Sequence, residues 1–438
     1  MHLFNELRKR QKNKNPIQTA VIGAGFFGSG VIRQLVRTPG ITPSIIANRT
    51  PEKAAEALVR SGVDKSQIKF CNDTASAKKE ISKVNYGITP HLELPLELPE
   101  IEVVAETTGN ILVGAELAFK SLQAKKHFVA ANPETQATVG AILREEADRN
   151  GVIYSDMDGD QPGILKKLYD YVEGIGFLPV VAGNCKGVMK RYATPHSQAA
   201  FCSENPIKPW IATAAADGTK LNIEMCLMAN ATGMVTPKVG MTGVETSLDT
   251  ILQDFDKRGL LGRGRIVEYT LGIPIGVFII GYNSDPWIQE EMQYFKMGKG
   301  PYYLFYSPHV LCQYDAVPSI ASAVIDHEPV ITPEKNLVTE VATFTKRDVE
   351  EDRLLDGIGG FDCYGMIVNR EEKNRGLLPI GLSEFVRMKR AISKDEPVSW
   401  SDVEITENNF LIELYHQQES KLSPRLKVFE DTPLEAEA

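Results

Sequence analysis

The chain has 438 residues, 48 Lys and Arg against 57 Asp and Glu, and a formal net charge of −9. That length supports two or three hydrophobic cores, and an acidic balance with no basic stripe beyond Arg8–Lys14 excludes a nucleic-acid-binding class. The longest apolar run, around Ile273–Gly281, is too short to span a membrane. Six cysteines without a C-x-x-C pair, and an amino-terminal stretch without a secretory-type apolar run, set the expectation of reduced thiols in the cytoplasm.

Met1–Gln18 reads as a short amphipathic helix with Leu3, Phe4 and Leu7 on one face, followed by a polar lead. Thr19–Ile22 is a buried strand. Gly23, Gly25 and Gly28 then follow G-x-G-x-x-G spacing, and an apolar-periodic helix runs on to Leu35. Gly23 permits the tight turn, Gly25 lets the backbone approach a pyrophosphate, and Gly28 lets helix and strand pack closely. The helix start, at Phe26 and Phe27, offers free N–H groups to the anion. The strand before and the helix after supply the context this motif requires. A second strand, Pro43–Ala47, ends at Asn48 and Arg49, where an NAD-binding chain carries an acid. Arginine stacks on adenine and pairs with a 2′-phosphate, so the expected cofactor is NADP(H).

The alternation continues with helix Glu52–Ser61, a strand beginning at Ile101, helix Ala115–Ala124, strand His127–Asn132, helix Thr138–Arg149 and strand Val152–Tyr154. Strands alternating with helices imply a doubly wound parallel sheet of Rossmann type. Ligands bind such sheets at the carboxyl ends of the strands. Thr108, Gly109 and Asn132 lie at those ends and join the cofactor-binding set.

Past Ser155 the character changes. Helix Gly163–Gly174, the stretch Pro179–Gly187 that follows it, helix Thr219–Gly233 and strand Gly276–Gly281 suggest a second α/β domain. Helix Pro318–Ile325 reads as packing back on the first. Short β runs at Val338–Phe344, Cys363–Val368 and Glu384–Arg390 suggest a β-rich tail, ending in the acidic stretch Glu430–Ala438. The expected boundaries are 1–155 for the dinucleotide domain with 305–335 returning to it, 156–304 for the catalytic domain, and 336–438 for the tail.

Four residues are candidates for the chemistry. Lys186 sits on a glycine-flanked loop, and a lysine suits an oxygen that gains or loses charge during hydride transfer. Lys220 and Glu224 are four apart on one helical face, a spacing that also fits a plain exposed ion pair. Asp160, in the turn Gly159-Asp160-Gln161-Pro162, fits a helix cap or a contact to substrate hydroxyls. Asp156, Asp158 and Asp160 alternate, but no downstream Glu completes a calcium-loop spacing, so no metal is assigned.

Glu106-Thr107-Thr108-Gly109 with Lys125–Asn132 resembles homoserine dehydrogenase-type Rossmann enzymes, although Pro133 stands where that family has a lysine. Gly159–Pro162, Ala182–Gly187, Asp217–Lys220, Met228–Gly233, Asp356–Gly360 and Leu378–Leu382 resemble the deoxyxylulose phosphate reductoisomerase-like family, and Val398–Glu404 resembles its SAF signature. The resemblance runs from Leu3 to about Ile405. It implies an NADPH-binding Rossmann domain, a catalytic domain and a C-terminal SAF-type domain. The implied activity is hydride transfer on a sugar or polyol, such as reduction and rearrangement of 1-deoxy-D-xylulose 5-phosphate, or action on a related sugar acid such as apionate. The family carries two lysines in a Gly-Lys-x-Lys-type segment; here the first is Asn184 and Lys186 remains. Expected partners are a small substrate, with or without phosphate, and a second copy in a homodimer. Two other readings are homoserine dehydrogenase-type oxidation without rearrangement and an NADP-binding sensor without turnover.

Overall fold

The computed structural model describes residues 2–374 and 376–422; the acidic run Glu430–Ala438 lies outside them. The chain divides into two units. The first comprises Met1–Asp160, Leu311–Lys335 and Glu413–Gln418; the second comprises Gln161–Val310, Asn336–Ile412 and Glu419–Ala438.

Seven strands build the first unit: β1 (Ile17–Ile22), β2 (Ile41–Ala47), β3 (Ile68–Phe70), β4 (Tyr86–Thr89), β5 (Val103–Glu106), β6 (His127–Ala130) and β7 (Tyr154–Asp156). They form one sheet in the order β3-β4-β2-β1-β5-β6-β7, and every pairing is parallel. The order reverses between β1 and β5, which places a ligand crevice beyond their carboxyl ends. Helices cover both faces, so the central strands are buried along almost their whole length rather than on alternate residues. Val21, Ile46, Val103 and Val129 form the core with Val317, Ile320 and Val324 of the helix Ala316–Ile325. The strands β3 and β4 had not been anticipated. β3 has three residues, none of them buried, and β4 is a four-residue stretch interrupted by Gly87, too little for a period to show.

The second unit holds β8 (Leu178–Lys186), β9 (Val244–Glu245), β10 (Ile266–Leu271), β11 (Val277–Tyr282) and β12 (Tyr302–Ser307), in the order β12-β11-β8-β10-β9. β8 runs parallel to β10 and antiparallel to β11. The helix Thr219–Thr232 is buried along almost its whole length. Its polar residues are satisfied by the antiparallel ribbon of β13 (Thr339–Thr345) and β14 (Cys363–Asn369). Thr219 Oγ1 accepts from Gly365 N at 2.9 Å, Asn222 Oδ1 from Ile367 N at 2.9 Å, and Asn230 Oδ1 from Val338 N at 2.9 Å. Burial of these groups is tolerated because each has a partner. A second ribbon pairs β15 (Val386–Met388) with β16 (Val403–Ile405); the expected run Glu384–Arg390 begins as a 3-10 turn and contains β15. Among the described residues no helix is long and apolar enough to cross a membrane.

Candidate active site

In the first unit the glycine turn has the geometry its spacing implies. Gly23 lies at φ +104°, and a Cβ on Gly28 would collide with the Gly23 carbonyl and the Thr107 hydroxyl. Gly25 caps the helix Phe26–Arg37 with no side-chain bond, leaving the first-turn N–H groups without a capping side chain. Nothing lies within 4 Å of the position a Gly25 Cβ would take. An open glycine beside an uncapped helix start is a cradle for an anion. Phe26 is exposed, while Phe27 packs against the core.

Two residues brace the turn. Thr107, just past β5, donates its hydroxyl toward Ile22 O at 3.1 Å and Gly23 O at 3.0 Å. Asn48 accepts from Ala24 N at 3.0 Å and donates to Thr50 O at 2.7 Å. The Asn48 amide is thus engaged with backbone, and the neighbouring Arg49 is exposed at the end of β2.

At the ends of β5, β6 and β7 a buried polar network joins three strands. Glu106 accepts from Thr108 N at 2.5 Å and from Asn132 Nδ2 at 3.2 Å. Asn132 also donates to Asn110 O at 3.1 Å, caps the helix Pro133–Asn150 by accepting from Thr135 N at 3.3 Å, and its own N–H reaches Asp156 Oδ1 at 3.3 Å. Burial pushes the Glu106 carboxyl up. Burial, and then the charge of Asp160, push Asp156 well above the usual carboxylate range. Gly109 lies at φ +64° in the turn this network holds. Sequence reasoning placed Asn132 and Thr108 here but missed Glu106 and Thr107 as braces. The available signal was an acid ending an otherwise apolar strand.

Asp160 closes the first unit. It is half-buried, with Cys312 Sγ 3.9 Å from its Oδ1. Among the described residues no cluster of three His, Cys, Asp or Glu is arranged to hold a metal, and all six cysteines are free.

The other candidates lie in the second unit. Glu224, buried on the helix Thr219–Thr232, accepts from Asn184 Nδ2 at 2.7 Å through one oxygen, and Lys220 Nζ lies 3.4 Å from the other. Asn184 is on β8, and Lys186, expected on a loop, is instead the last residue of that strand and shares its face of the sheet. The structure therefore brings Asn184, Lys220 and Glu224 together, with Lys186 on the strand that carries Asn184, and Asp160 belongs to the other unit. A neutral amide stands where the resembled family has a lysine, and it holds the carboxylate that pairs with Lys220.

With that geometry in place, residues 159–316 match the family model described as oxidoreductase DRL, catalytic domain. Homoserine dehydrogenase of Bacillus subtilis (strain 168) is 24% identical over 135 residues, 31% of this chain and 28% of that protein. Homoserine dehydrogenase of Pseudomonas aeruginosa is 28% identical over 141 residues, 32% of this chain and 28% of that protein. The match thus spans little more than a quarter of these curated relatives. Among solved structures, a probable dehydrogenase from Thermotoga maritima is similar at 13% identity, covering 71% of this chain and 90% of that one with a TM-score of 0.43. A levoglucosan dehydrogenase in complex with NADH and levoglucosan is similar at 16% identity, covering 61% of this chain and 64% of that one, with a TM-score of 0.34. By the family match, residues 159–316 are similar to the catalytic domain of the DRL oxidoreductases.

Proposed function

We propose that the chain is an NADP(H)-dependent oxidoreductase acting at a carbinol or carbonyl carbon of a small sugar or polyol derivative. The observation that carries this reading is the open, uncapped glycine turn at Gly25. The residues present fit a dinucleotide. The backbone from Gly23 to Gly28 and the helix start take the pyrophosphate, Arg49 takes a 2′-phosphate, and the turn Thr108-Gly109 and Asn132 line the strand ends where the nicotinamide belongs. When bound, the nicotinamide supplies or accepts the hydride. Lys186 holds the substrate oxygen and passes its proton. An ammonium there stabilises the charge that grows on that oxygen in the transition state. Glu224, fixed by Asn184, keeps Lys220 in place as a second donor. Asp160 orients substrate hydroxyls. We read the assembly as a homodimer, which sedimentation would check.

1-Deoxy-D-xylulose 5-phosphate, with isomerisation, and apionate-type sugar acids are the substrates to try first. Oxidation of a hydroxy amino acid without rearrangement is the second reading, supported by the homoserine dehydrogenase matches. The test is nicotinamide absorbance with NADPH and NADP⁺ across keto- and hydroxy-sugars, with and without phosphate, plus homoserine. Turnover of a sugar supports the first reading, and turnover of homoserine the second. Stoichiometric NADPH binding with no consumption across the panel would replace both with a sensor.

A further inference from the structure

A cavity of about 250 Å³ in the second unit is lined by Tyr192, Thr194, Lys346, Arg347, Arg353 and Phe361. Asp362, fully buried, holds two of the lining arginines. One oxygen of Asp362 accepts from Arg347 Nε at 3.0 Å and also from Nη2; the other accepts from Arg353 Nε at 2.8 Å. Two guanidiniums therefore share one carboxylate. Among the described residues, Nη1 of Arg347 and both Nη groups of Arg353 remain uncommitted. Lys346 adds no surplus charge. Its ammonium is 2.7 Å from Asp217 Oδ2 and donates to Ala193 O and Gly360 O.

Asp356, Asp395 and Lys394 are engaged with other groups. Both oxygens of Asp356 accept backbone N–H groups, from Phe361 and Asp362. Asp395 accepts the hydroxyls of Tyr192 and Tyr364, and Lys394 stands 3.5 Å over the Tyr192 ring. The lining thus presents free guanidinium donors beside two half-exposed aromatic faces, Tyr192 and Phe361. Thr194 Oγ1 accepts from Ser197 N, so its proton is free to donate. A planar fork with free N–H groups matches a carboxylate or phosphate.

We propose that this cavity binds the oxyanionic group, phosphate or carboxylate, of a small polyol-type ligand, with Arg347 and Arg353 as the charged donors. Lys346 links it to the helix bearing Lys220 and Glu224, because its partner Asp217 also accepts from Thr219 N at 2.7 Å. That the ligand is the substrate rests on the oxidoreductase reading above; that the cavity takes an oxyanion does not.

The test is calorimetric titration of the full chain with ribose 5-phosphate, ribonate and ribose, at low and high salt. The expected result is at least tenfold tighter binding of one anion than of ribose, weakening as salt rises. The preferred anion tells phosphate from carboxylate. Arg347→Gln should lower that affinity tenfold or more with melting retained, since Arg353 still pairs with Asp362. Phe361→Glu, which keeps both arginines but adds a rival carboxylate, should do the same. Equal affinity for charged and neutral sugars, or anion binding unchanged in both variants, overturns the proposal. NADPH is titrated into the same samples. NADPH binding without anion binding removes the cavity alone, and anion binding without NADPH binding removes the oxidoreductase reading alone.

Discussion

Arg49 and Lys186 are single side chains on which the proposed chemistry turns, and each can be changed without opening a core. Arg49 is exposed, so Arg49→Asp should fold normally. It should weaken NADPH binding by about 2 kcal/mol, on the order of 30-fold, and leave NADH nearly untouched; fluorescence titration of both cofactors reads the difference, and equal losses would remove the 2′-phosphate role. Lys186→Ala should lower kcat by roughly 10²–10⁴-fold with cofactor affinity retained. Steady-state rates check it, and a change within a few-fold would take Lys186 out of the mechanism. His127 makes a different prediction. It is buried, accepts from Ile153 N at 3.1 Å, and burial followed by the nearby His327 lowers its pKa to about 4. Unfolding restores an ordinary value near 6.5. The unfolded chain therefore binds the proton first as pH falls. Its contribution to stability is whole above about pH 6.5 and is lost down to about pH 4, at most about 3 kcal/mol. Melting followed from pH 7 to 4 should show this loss, and His127→Asn should flatten that part of the profile.

Elements show where sequence reading succeeds and where it stops. The glycine turn was legible because a strand, three glycines and a helix are consecutive, and the Lys220–Glu224 pair because helical spacing alone brings them together. β10 was not, because Glu268 interrupts its apolar run. That carboxylate is fully buried and accepts from Thr242 N and Gly243 N, partners distant in sequence. Lys186 was expected on a loop rather than on a strand, and the bond that ties its strand neighbour Asn184 to Glu224 spans forty residues. The helix Pro133–Asn150 is the clearest case. It was expected to begin at Thr138, beside Val139, where the backbone departs from helical geometry at φ −134° and ψ 18°. The interrupted ladder is repaired from far along the chain. Gln418 Oε1 accepts from Ala141 N at 3.1 Å and Ile142 N at 3.2 Å, and its Nε2 donates to Thr138 O at 3.1 Å. Gln418→Ala would leave these groups buried and unpaired, at about 2–3 kcal/mol. A denaturant melt with an unchanged slope and a lower midpoint is the expected result, and no shift would mean that water replaces the side chain.

For the molecule as a whole, the informative feature is that its first unit is assembled from separated stretches of chain. The parallel sheet ends at β7, yet the helix Ala316–Ile325 that completes its core is separated from it by the stretch Gln161–Val310 of the second unit. Residues 2–160 alone should therefore bind a hydrophobic dye that the full chain excludes, and attaching Leu311–Lys335 should suppress the signal; a dye-silent short fragment would show that the sheet closes without that helix. The same arrangement governs what happens on the ribosome. At roughly 5–20 residues per second, the nascent sheet waits on the order of ten to thirty seconds for its covering helix. During that interval the core around Val21, Ile46, Val103 and Val129 lacks the share that Val317, Ile320 and Val324 supply. A newborn chain of this design carries uncovered apolar surface until that helix has been made.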